Sequence, residues 1–428
     1  MKKSFLKLSL IFLSVFLYSQ CQINSGKTKI SLTNSSSVDL SDKAISIQRS
    51  QFSEIPEGKV FPLIVSSNGD TIPAQLDDLD GDKIWDELFF VADLPANGKG
   101  HFTLEWSYKM PDFPVRTSVR FGKRMSAEIP VKPANEEVLT AKQIPWTLGF
   151  QRYQTDGPTW ENDKVGFRHY LDGRNAKDIF GKKIPSISPE DVGLDEKGAP
   201  VDNYHVMEDW GRDILSVGNS VGIGGYGLLT GDKLLRLGII AGDTVNNVEK
   251  TNFKIVTEGP VRSILNYQYS NWKSGNREYE VEENTSIWPG MYGYQNSVKF
   301  TGLDGDENLV VGLVNINTEM PLSTHEGKDK YVVLYTHDKQ TYEREWWLGL
   351  ALIVPRDLYL GYMEAPKTGN LSNTFLAKLK IENNKTVTYY AVACWELSDQ
   401  GFVDKEYFED YLQTLAEQLA AEVDILIQ

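Results

Sequence analysis

Short runs in which apolar and polar residues alternate recur along this chain, separated by turn residues about every ten positions. Clear examples are residues 101–106, 261–269 and 386–393. A period of two is typical of strands that bury one face, whereas a helix requires a period near 3.6. The pattern predicts a mostly β protein, and so many strands are expected to form a large antiparallel β-sandwich.

The first residues predict where the protein goes. Lys2 and Lys3 precede an apolar run, residues 8–17, and Cys21 follows shortly after. This predicts a signal peptide over residues 1–21 and a lipoprotein acylated on Cys21, exported to the periplasm or outer membrane of a Gram-negative bacterium. Tyr18 and Gln20 fit the lipoprotein pattern less well, so a plain cleaved signal peptide is the alternative.

Composition divides the rest of the chain into four segments. Residues 22–40, rich in Ser, Thr and Asn, predict a flexible tether. A smaller N-terminal β module is expected over 41–135, ending in a cluster of prolines, and a larger β region that carries the catalytic site over 136–403. Residues 404–428 predict one C-terminal helix, because Phe408, Leu412, Leu415, Leu419 and Val423 recur at steps of three and four.

The totals exclude some classes of function. The net charge is −15, which argues against a nucleic-acid-binding surface and means that an anionic ligand needs a local cationic pocket. Cys394 is the one cysteine after the predicted signal peptide, so no disulfide framework is expected. It lies in an apolar strand-like run and is predicted to be buried.

The densest polar cluster is the run Tyr204–Asp213, which contains one of only five histidines. Histidine exchanges protons near neutral pH, so we predict that His205 is a catalytic base, oriented by Glu208 or Asp209. A hydrogen-bonded core histidine is the alternative. The same run supplies predicted substrate-binding residues, which are Asp209, Trp210 as a sugar platform and Arg212.

The best candidate for an anion pocket is the run Phe167–Lys183, which holds five cations. Its predicted site residues are Arg168, His169, Tyr170, Arg174 and Lys182. Alternation along a strand would place Arg168, Tyr170 and Asp172 on one face and His169 on the other. A salt-bridged surface is the alternative interpretation of this run.

Two further groups are candidates for substrate contacts. Trp288, Tyr292 and Tyr294 lie among glycines and suit stacking on a sugar ring, although a packed aromatic turn has the same pattern. His325 is predicted to line a pocket, and His337 is predicted to lie on the surface.

An acidic run, residues 77–87, resembles a calcium loop. Asp78, Asp80, Asp82 and Asp86 occupy positions 1, 3, 5 and 9 of such a loop, but the glycine stands at 81 and Phe89 replaces the final glutamate. The run predicts a structural calcium or other divalent metal site, with a tight acidic turn as the alternative.

In combination these motifs resemble an exported bacterial family of unknown function encoded beside enzymes that digest ulvan, pectin and other uronate polysaccharides. The resemblance rests on residues 78–90, 157–161, 168–182 and 204–225 and extends over most of the chain after the tether. One branch is implied to be an oligosaccharide dehydratase, which removes water from the non-reducing-end uronic acid and leaves a 4,5-unsaturated sugar. The positions that fall on the family's pattern are Arg168, Asp178, Lys182, His205, Asp209, Trp210 and Asp213, whereas His169 and Arg212 are less typical of it.

The resemblance implies a carbohydrate-active lyase and, by analogy, a sandwich of the galactose-mutarotase-like super-sandwich type. Elimination needs a cation at the carboxylate, for which Arg168, Arg174, Lys182 or a metal are candidates, and His205 as base. It also needs an acid for the 4-hydroxyl, and the candidates are Tyr170, Tyr292 and Tyr294; one group serves both steps if the elimination is syn. No cofactor is required, the expected partner is a uronate-containing oligosaccharide, and membrane contact is expected only through the lipid.

Two alternatives belong to other classes. The first is a glycoside hydrolase that pairs Glu208 or Asp213 with Glu161. The second is a glycan-binding lipoprotein without catalytic activity, which would bind sugar without turning it over.

Overall fold

A computed structural model of the chain describes residues 27–326 and 330–428, so the predicted signal peptide, Cys21 and the start of the tether lie outside the described residues. The mostly β, antiparallel architecture with one helix near the C-terminus is confirmed. In chain order, the strands are β1 (Thr28–Asn34), β2 (Leu40–Gln48), β3 (Phe61–Ser66), β4 (Thr71–Ile72), β5 (Ala74–Asp77), β6 (Glu87–Leu94), β7 (Lys99–Ser107), β8 (Thr117–Arg120), β9 (Gly122–Lys123), β10 (Lys132–Pro133), β11 (Glu136–Thr140), β12 (Thr159–Asn162), β13 (Val165–His169), β14 (Lys177–Lys182), β15 (Gly211–Asp213), β16 (Ile223–Thr230), β17 (Lys233–Arg236), β18 (Val248–Glu258), β19 (Ser263–Ser274), β20 (Arg277–Ile287), β21 (Gly293–Thr301), β22 (Glu307–Val314), β23 (Ser323–His325), β24 (Tyr331–Asp338), β25 (Leu348–Pro355), β26 (Tyr359–Glu364), β27 (Thr374–Lys380), β28 (Thr386–Trp395) and β29 (Val423–Ile427). The helix is α1 (Lys405–Ala420), and single 3-10 turns span Arg49–Gln51, Pro145–Leu148, Arg356–Leu358 and Gln400–Val403.

The main body is a sandwich with two layers. One layer is a nine-stranded sheet in the order β11-β18-β19-β20-β21-β28-β25-β24-β23. The other consists of two five-stranded sheets, β15-β14-β13-β12-β8 and β17-β16-β22-β27-β26, linked by a parallel bridge between Lys177 and Gly222. The layers share one apolar core because strands of both turn alternate side chains inward.

Close contact between the layers depends on glycine in β16. The hydroxyl of Tyr294 donates to the carbonyl of Ile223 at 2.8 Å, and that of Tyr389 donates to the carbonyl of Gly224 at 2.7 Å. Gly224 has a φ of +72°, and a Cβ there would lie 2.4 Å from the Tyr294 hydroxyl. No larger residue fits between the layers at this point.

The predicted tether is wrong for the described part of residues 22–40. Ile30 and Leu32 are fully buried on β1, which pairs with β7 on one side and β29 on the other. The polar residues that suggested flexibility, such as Ser31 and Thr33, alternate with the buried positions. The polar composition hid this strand, because a strand that buries only one face carries polar residues at about half of its positions.

The N-terminal module ends earlier than predicted. Its core runs from Ile30 to Trp106 and adds residues of β29 from the other end of the chain. β8 already pairs with β12 of the main body, so the boundary falls after β7 and not at residue 135. The proline-rich stretch is therefore part of the main body.

The C-terminal helix is shorter than predicted. Asp404 caps its start, accepting hydrogen bonds from the backbone N–H groups of Glu406 and Tyr407. The predicted buried face is confirmed at Phe408, Leu412 and Leu415. The helix ends at Ala420 rather than 428, because residues 423–427 alternate and extend the N-terminal sheet as β29.

Two smaller findings concern the described residues. Cys394 is buried and free on β28, as predicted. Over 27–326 and 330–428, the chain contains no helix of sufficient length and hydrophobicity to span a membrane.

Candidate active site

The sheet β15-β14-β13-β12-β8 has two chemically different faces. Its inward face carries Trp160, Phe167 and Ile179, which pack in the main core. The opposite face carries ionisable groups in register, for example Arg168 opposite Asp178. A long loop, residues 183–210, covers that face and buries its charges, so they must be paired with one another.

Arg168 is the centre of this buried face. Its Nη2 donates to the Tyr170 hydroxyl at 2.5 Å, to Asp213 Oδ2 at 2.7 Å and to Asp178 Oδ2. The guanidinium carbon lies 4.3 Å from the Tyr170 ring centre and 5.0 Å from that of Tyr204. Since Arg168 is 1% exposed and holds two carboxylates, it supports the site and does not present its charge to a ligand.

Asp213 has an unusual protonation equilibrium. Burial, together with the nearby charge of Asp178, raises its pKa from 3.8 to about 8, although Arg168 opposes the shift. Two carboxylates that share one guanidinium nitrogen favour retention of a proton at neutral pH.

An open cleft of about 450 Å³ adjoins the buried face. Asp172, which belongs to one of the two polar runs found in the sequence, lines it together with Asp202, which lies two residues before the other run. Asp172 Oδ2 lies 2.7 Å from Arg174 Nε, and Asp202 Oδ1 lies 3.8 Å from His205 Nδ1. Other residues that line the cleft are Trp146, Gln151, Arg152, Tyr153 and Asp156.

His205 lies beside Asp202, which lines this cleft. It sits in a turn closed by the hydrogen bond from Val206 N to Asn203 O, and 48% of its side chain is exposed. The alternative of a core histidine is therefore wrong. The carboxylate beside its ring is Asp202, and not Glu208 or Asp209 as predicted.

His169 faces the opposite way, as strand alternation predicted. It is fully buried, with its ring 4.4 Å from that of Tyr267 and close to the Lys177–Glu283 ion pair. Burial and the nearby Lys177 lower its pKa to about 3, so the ring stays neutral. Its predicted role in substrate binding is wrong.

Lys182 is also unavailable to a ligand in the cleft. Its Nζ lies 2.5 Å from Glu161 Oε2 and donates to the carbonyl of Asn162 at 2.6 Å, and all three residues are buried. Ser188 donates to the other oxygen of Glu161 at 2.5 Å. The predicted contact between Lys182 and substrate is wrong, because Glu161 already neutralises it.

The strand register and the buried partners of both carboxylates argue against Glu161 and Asp213 as the paired acids of a glycoside hydrolase. Glu161 lies opposite Gly166, Gly166 opposite Phe180, and Phe180 opposite Asp213. Three strand spacings separate the two acids, which is about 14 Å. Retaining and inverting enzymes need about 5 to 9.5 Å between their carboxyl groups.

The predicted aromatic platforms are packed side chains. Trp210 contacts Phe180, Tyr292 lies between Phe402 and Tyr411, and Tyr294 is fully buried. Trp288 is only 9% exposed and packs on Tyr390, so the packed aromatic turn is confirmed.

The other predicted contacts lie elsewhere. Arg212 pairs with Glu345 at 3.1 Å and covers the Trp346 ring, Asp209 lines a separate depression with Trp210, and His325 is exposed on edge strand β23. The surface prediction for His337 is wrong, because its ring stacks between Trp347 and Phe408.

Sequence reasoning missed three residues of the cleft. Trp146 is 40% exposed in the 3-10 turn Pro145–Leu148. Arg152 lines the cleft and pairs with Glu137 at 2.9 Å, and Asp156 accepts hydrogen bonds from Gln151 and Tyr204. All three lie in a stretch without strand alternation, where the Pro-Trp pair at 145–146 was the one signal that the sequence offered.

The acidic run forms a tight turn. Ligand oxygens of Asp78, Asp80 and Asp86 lie within 4.8 Å of one another, whereas the Asp82 carboxylate accepts from the backbone N–H of Ile84 and is not part of this group. Oxygen ligands suit calcium, so a metal held by these three residues stays a prediction, without Asp82.

The fold and the site define a large antiparallel β-sandwich with a polar cleft at the edge of one covering sheet. The chain belongs to the family described as a domain of unknown function, DUF4861, which matches residues 32–425. It is 28% identical over 295 residues to "Uncharacterized protein P7" of Formosa agariphila, a match that covers 64% of this chain and 68% of that protein.

Two solved structures to which the chain is similar both come from Enterococcus faecalis. One is a protein in glycosyl hydrolase family 38 from Enterococcus faecalis (TM-score 0.47, 10% identity), and the other is an alpha-mannosidase from the same organism (TM-score 0.46, 9% identity). Both matches cover 94% of this chain, which spans 47% and 46% of the length of those proteins. At these scores the likeness carries no statement about the function of this chain.

Proposed function

We propose that this protein is a carbohydrate-active lyase that removes water from the non-reducing-end uronic acid of an oligosaccharide and leaves a 4,5-unsaturated sugar. The observation that carries the proposal is that one cleft is lined by Asp172, which pairs with Arg174, and by Asp202, which lies 3.8 Å from Nδ1 of His205.

The cleft has the properties of a sugar site. Its volume of about 450 Å³ suits a small ligand. Trp146 offers an exposed ring for stacking, and carboxylates such as Asp156 accept hydrogen bonds from hydroxyl groups. Arg152 lines the same cleft and is only partly buried; Glu137 accepts from its Nε and Nη2 at 3.3 and 2.9 Å and does not engage Nη1. We assign Nη1 of Arg152 to the uronate carboxylate, in place of the buried Arg168 and Lys182.

The elimination follows from these positions. Arg152 binds the carboxylate of the substrate, which makes the proton on C5 more acidic, and His205 takes that proton. The bond from C4 to its hydroxyl oxygen breaks, the C4–C5 double bond forms, and the hydroxyl leaves as water with a proton from Tyr204. Burial raises the pKa of Tyr204, so it holds that proton until it reacts, and nearby Arg168 stabilises the phenolate.

The test uses saturated oligosaccharides that end in a uronic acid. Turnover should raise ultraviolet absorbance and yield a product lighter by one water. His205→Ala should lose about 10²- to 10⁴-fold in rate. His325→Ala, which removes an exposed imidazole outside the cleft, is the matched control. Wild-type protein that leaves every such substrate unchanged would overturn the lyase, whereas full activity of His205→Ala would overturn only the assignment of the base.

A glycan-binding protein without catalysis is the second candidate, and exposed Trp146 beside the cleft favours it. It predicts sugar binding without product formation and loss of that binding in Trp146→Ala.

We also propose that the chain is exported and anchored through a lipid on Cys21. Cys21→Ser should then release the protein from the membrane fraction.

A further inference from the structure

Two consecutive residues beside the cleft adopt a backbone conformation that residues other than glycine rarely adopt. Thr155 has a φ of +59° and Asp156 a φ of +62°. The left-handed region is unfavourable for residues with a Cβ and most of all for a β-branched residue such as threonine. The turn therefore stores strain, which persists only where the surrounding structure enforces it.

Buried contacts on both sides enforce this turn. Arg168 Nη1 donates to the carbonyl of Thr155 at 3.4 Å, and the N–H of Leu171 donates to that of Asp156 at 3.0 Å. Gly157 follows, where a Cβ would lie 2.0 Å from the carbonyl oxygen of His169. The strand that carries Arg168 thus fixes the turn against the edge of the sheet.

The result of this strain is the position of one carboxylate. From 153 to 160 every residue except Asp156 is buried, and Asp156 is half-buried and lines the cleft. Gln151 Nε2 donates to its Oδ1 at 3.1 Å, and the Tyr204 hydroxyl donates to its Oδ2 at 2.9 Å. A carboxylate accepts about four hydrogen bonds, so these two donors orient it and leave acceptor capacity on both oxygens.

We propose that Asp156 is the residue that recognises two adjacent hydroxyl groups of a sugar ring in the cleft. Two oxygens held at a fixed angle match a pair of neighbouring hydroxyl donors, and charged acceptors make the stronger hydrogen bonds. The strained turn sets that angle before the ligand arrives, which reduces the ordering cost of binding. This inference rests on the proposed carbohydrate ligand, and it concerns binding rather than the elimination step, in which Tyr204 also takes part.

The experiment measures binding by calorimetry with two probes. One is a glucuronate-terminated oligosaccharide, and the other is the same compound with methylated hydroxyls on its terminal ring. Wild-type protein should bind the first and lose about 10- to 100-fold in affinity for the second. Asp156→Asn should show a similar loss for the first probe. Asp232→Asn removes an exposed carboxylate outside the residues that line the cleft, and it should bind like the wild type.

Thermal unfolding separates recognition from a structural role. Asparagine tolerates the left-handed region, so Asp156→Asn should melt at or above the wild-type temperature while it binds more weakly. Equal binding of both probes by the wild type, or no binding of either, would overturn the inference whatever the variant does. Wild-type protein that binds selectively but yields no unsaturated product would refute the proposed reaction and leave the role of Asp156 intact.

Discussion

Replacing Asp213 with asparagine should remove one defined contribution to the dependence of stability on pH. The carboxyl group is buried beside Asp178, and its pKa rises from 3.8 to about 8 on folding. Between these two values the folded protein holds a proton that the unfolded chain has released. Folding therefore binds a proton, and stability decreases as the pH rises through this window.

The size of the effect follows from the shift. One proton per molecule corresponds to about 1.4 kcal/mol per pH unit, or roughly 3 to 4 kcal/mol between pH 5 and pH 8. Above about pH 8 the folded protein also loses the proton, so this contribution stops changing. The amide in Asp213→Asn cannot ionise and keeps a hydrogen-bonding side chain beside Arg168, so the variant should lack this slope.

Urea denaturation of both proteins at several pH values measures the effect. The informative quantity is the difference in unfolding free energy between the variant and the wild type, because titrating groups far from Asp213 cancel. As the pH rises from 5 to 8, the variant should become more stable relative to the wild type. Parallel curves over this range would show that Asp213 is ionised in the folded protein and would refute the argument.

Further predictions concern the core, the acidic turn and the cleft. Lys177→Met should lower the unfolding free energy by about 3 to 5 kcal/mol in urea denaturation, because it leaves Glu283 charged and unpaired in the core. Lys177→Arg keeps the charge and is the comparison. An unchanged denaturation midpoint in Lys177→Met would contradict the buried ion pair. If the acidic turn binds calcium, the ion should raise the melting temperature relative to a chelator in the wild type but not in Asp80→Asn, and equal responses would refute the site. Trp146→Ala should weaken oligosaccharide binding by about 1 to 2 kcal/mol and leave the melting temperature unchanged, whereas Trp210→Ala should destabilise the fold. Equal binding by the wild type and Trp146→Ala would refute the assignment of Trp146 as a stacking platform.

Local patterns in the sequence predicted those parts of the fold that depend on neighbours in the chain. The period of two predicted the antiparallel sheets, and the spacing of Phe408, Leu412 and Leu415 predicted the C-terminal helix. Alternation also placed Arg168 and His169 on opposite faces. The same reasoning failed at β1, where Ile30 and Leu32 are the only strong signals in a polar stretch.

The candidate site was predictable in part. The sequence drew attention to the two runs beside the cleft, but it could not tell which of their charges face solvent. Lys182 and Arg168 were predicted to meet the ligand, yet buried partners such as Glu161 and Asp178 neutralise them. The partners of these charges lie on neighbouring strands or in distant loops, so only the tertiary structure reveals them.

The sequence by itself determined the β architecture, the terminal helix and the two polar runs, because each depends on residues a few positions apart. Only the tertiary structure decided which charges are buried, that β29 closes the N-terminal sheet, and that Trp146, Arg152 and Asp156 line the cleft. These outcomes depend on contacts between residues far apart in the chain. The covering loop and the left-handed turn at Thr155 determine which side chains reach solvent and which lie beneath the site.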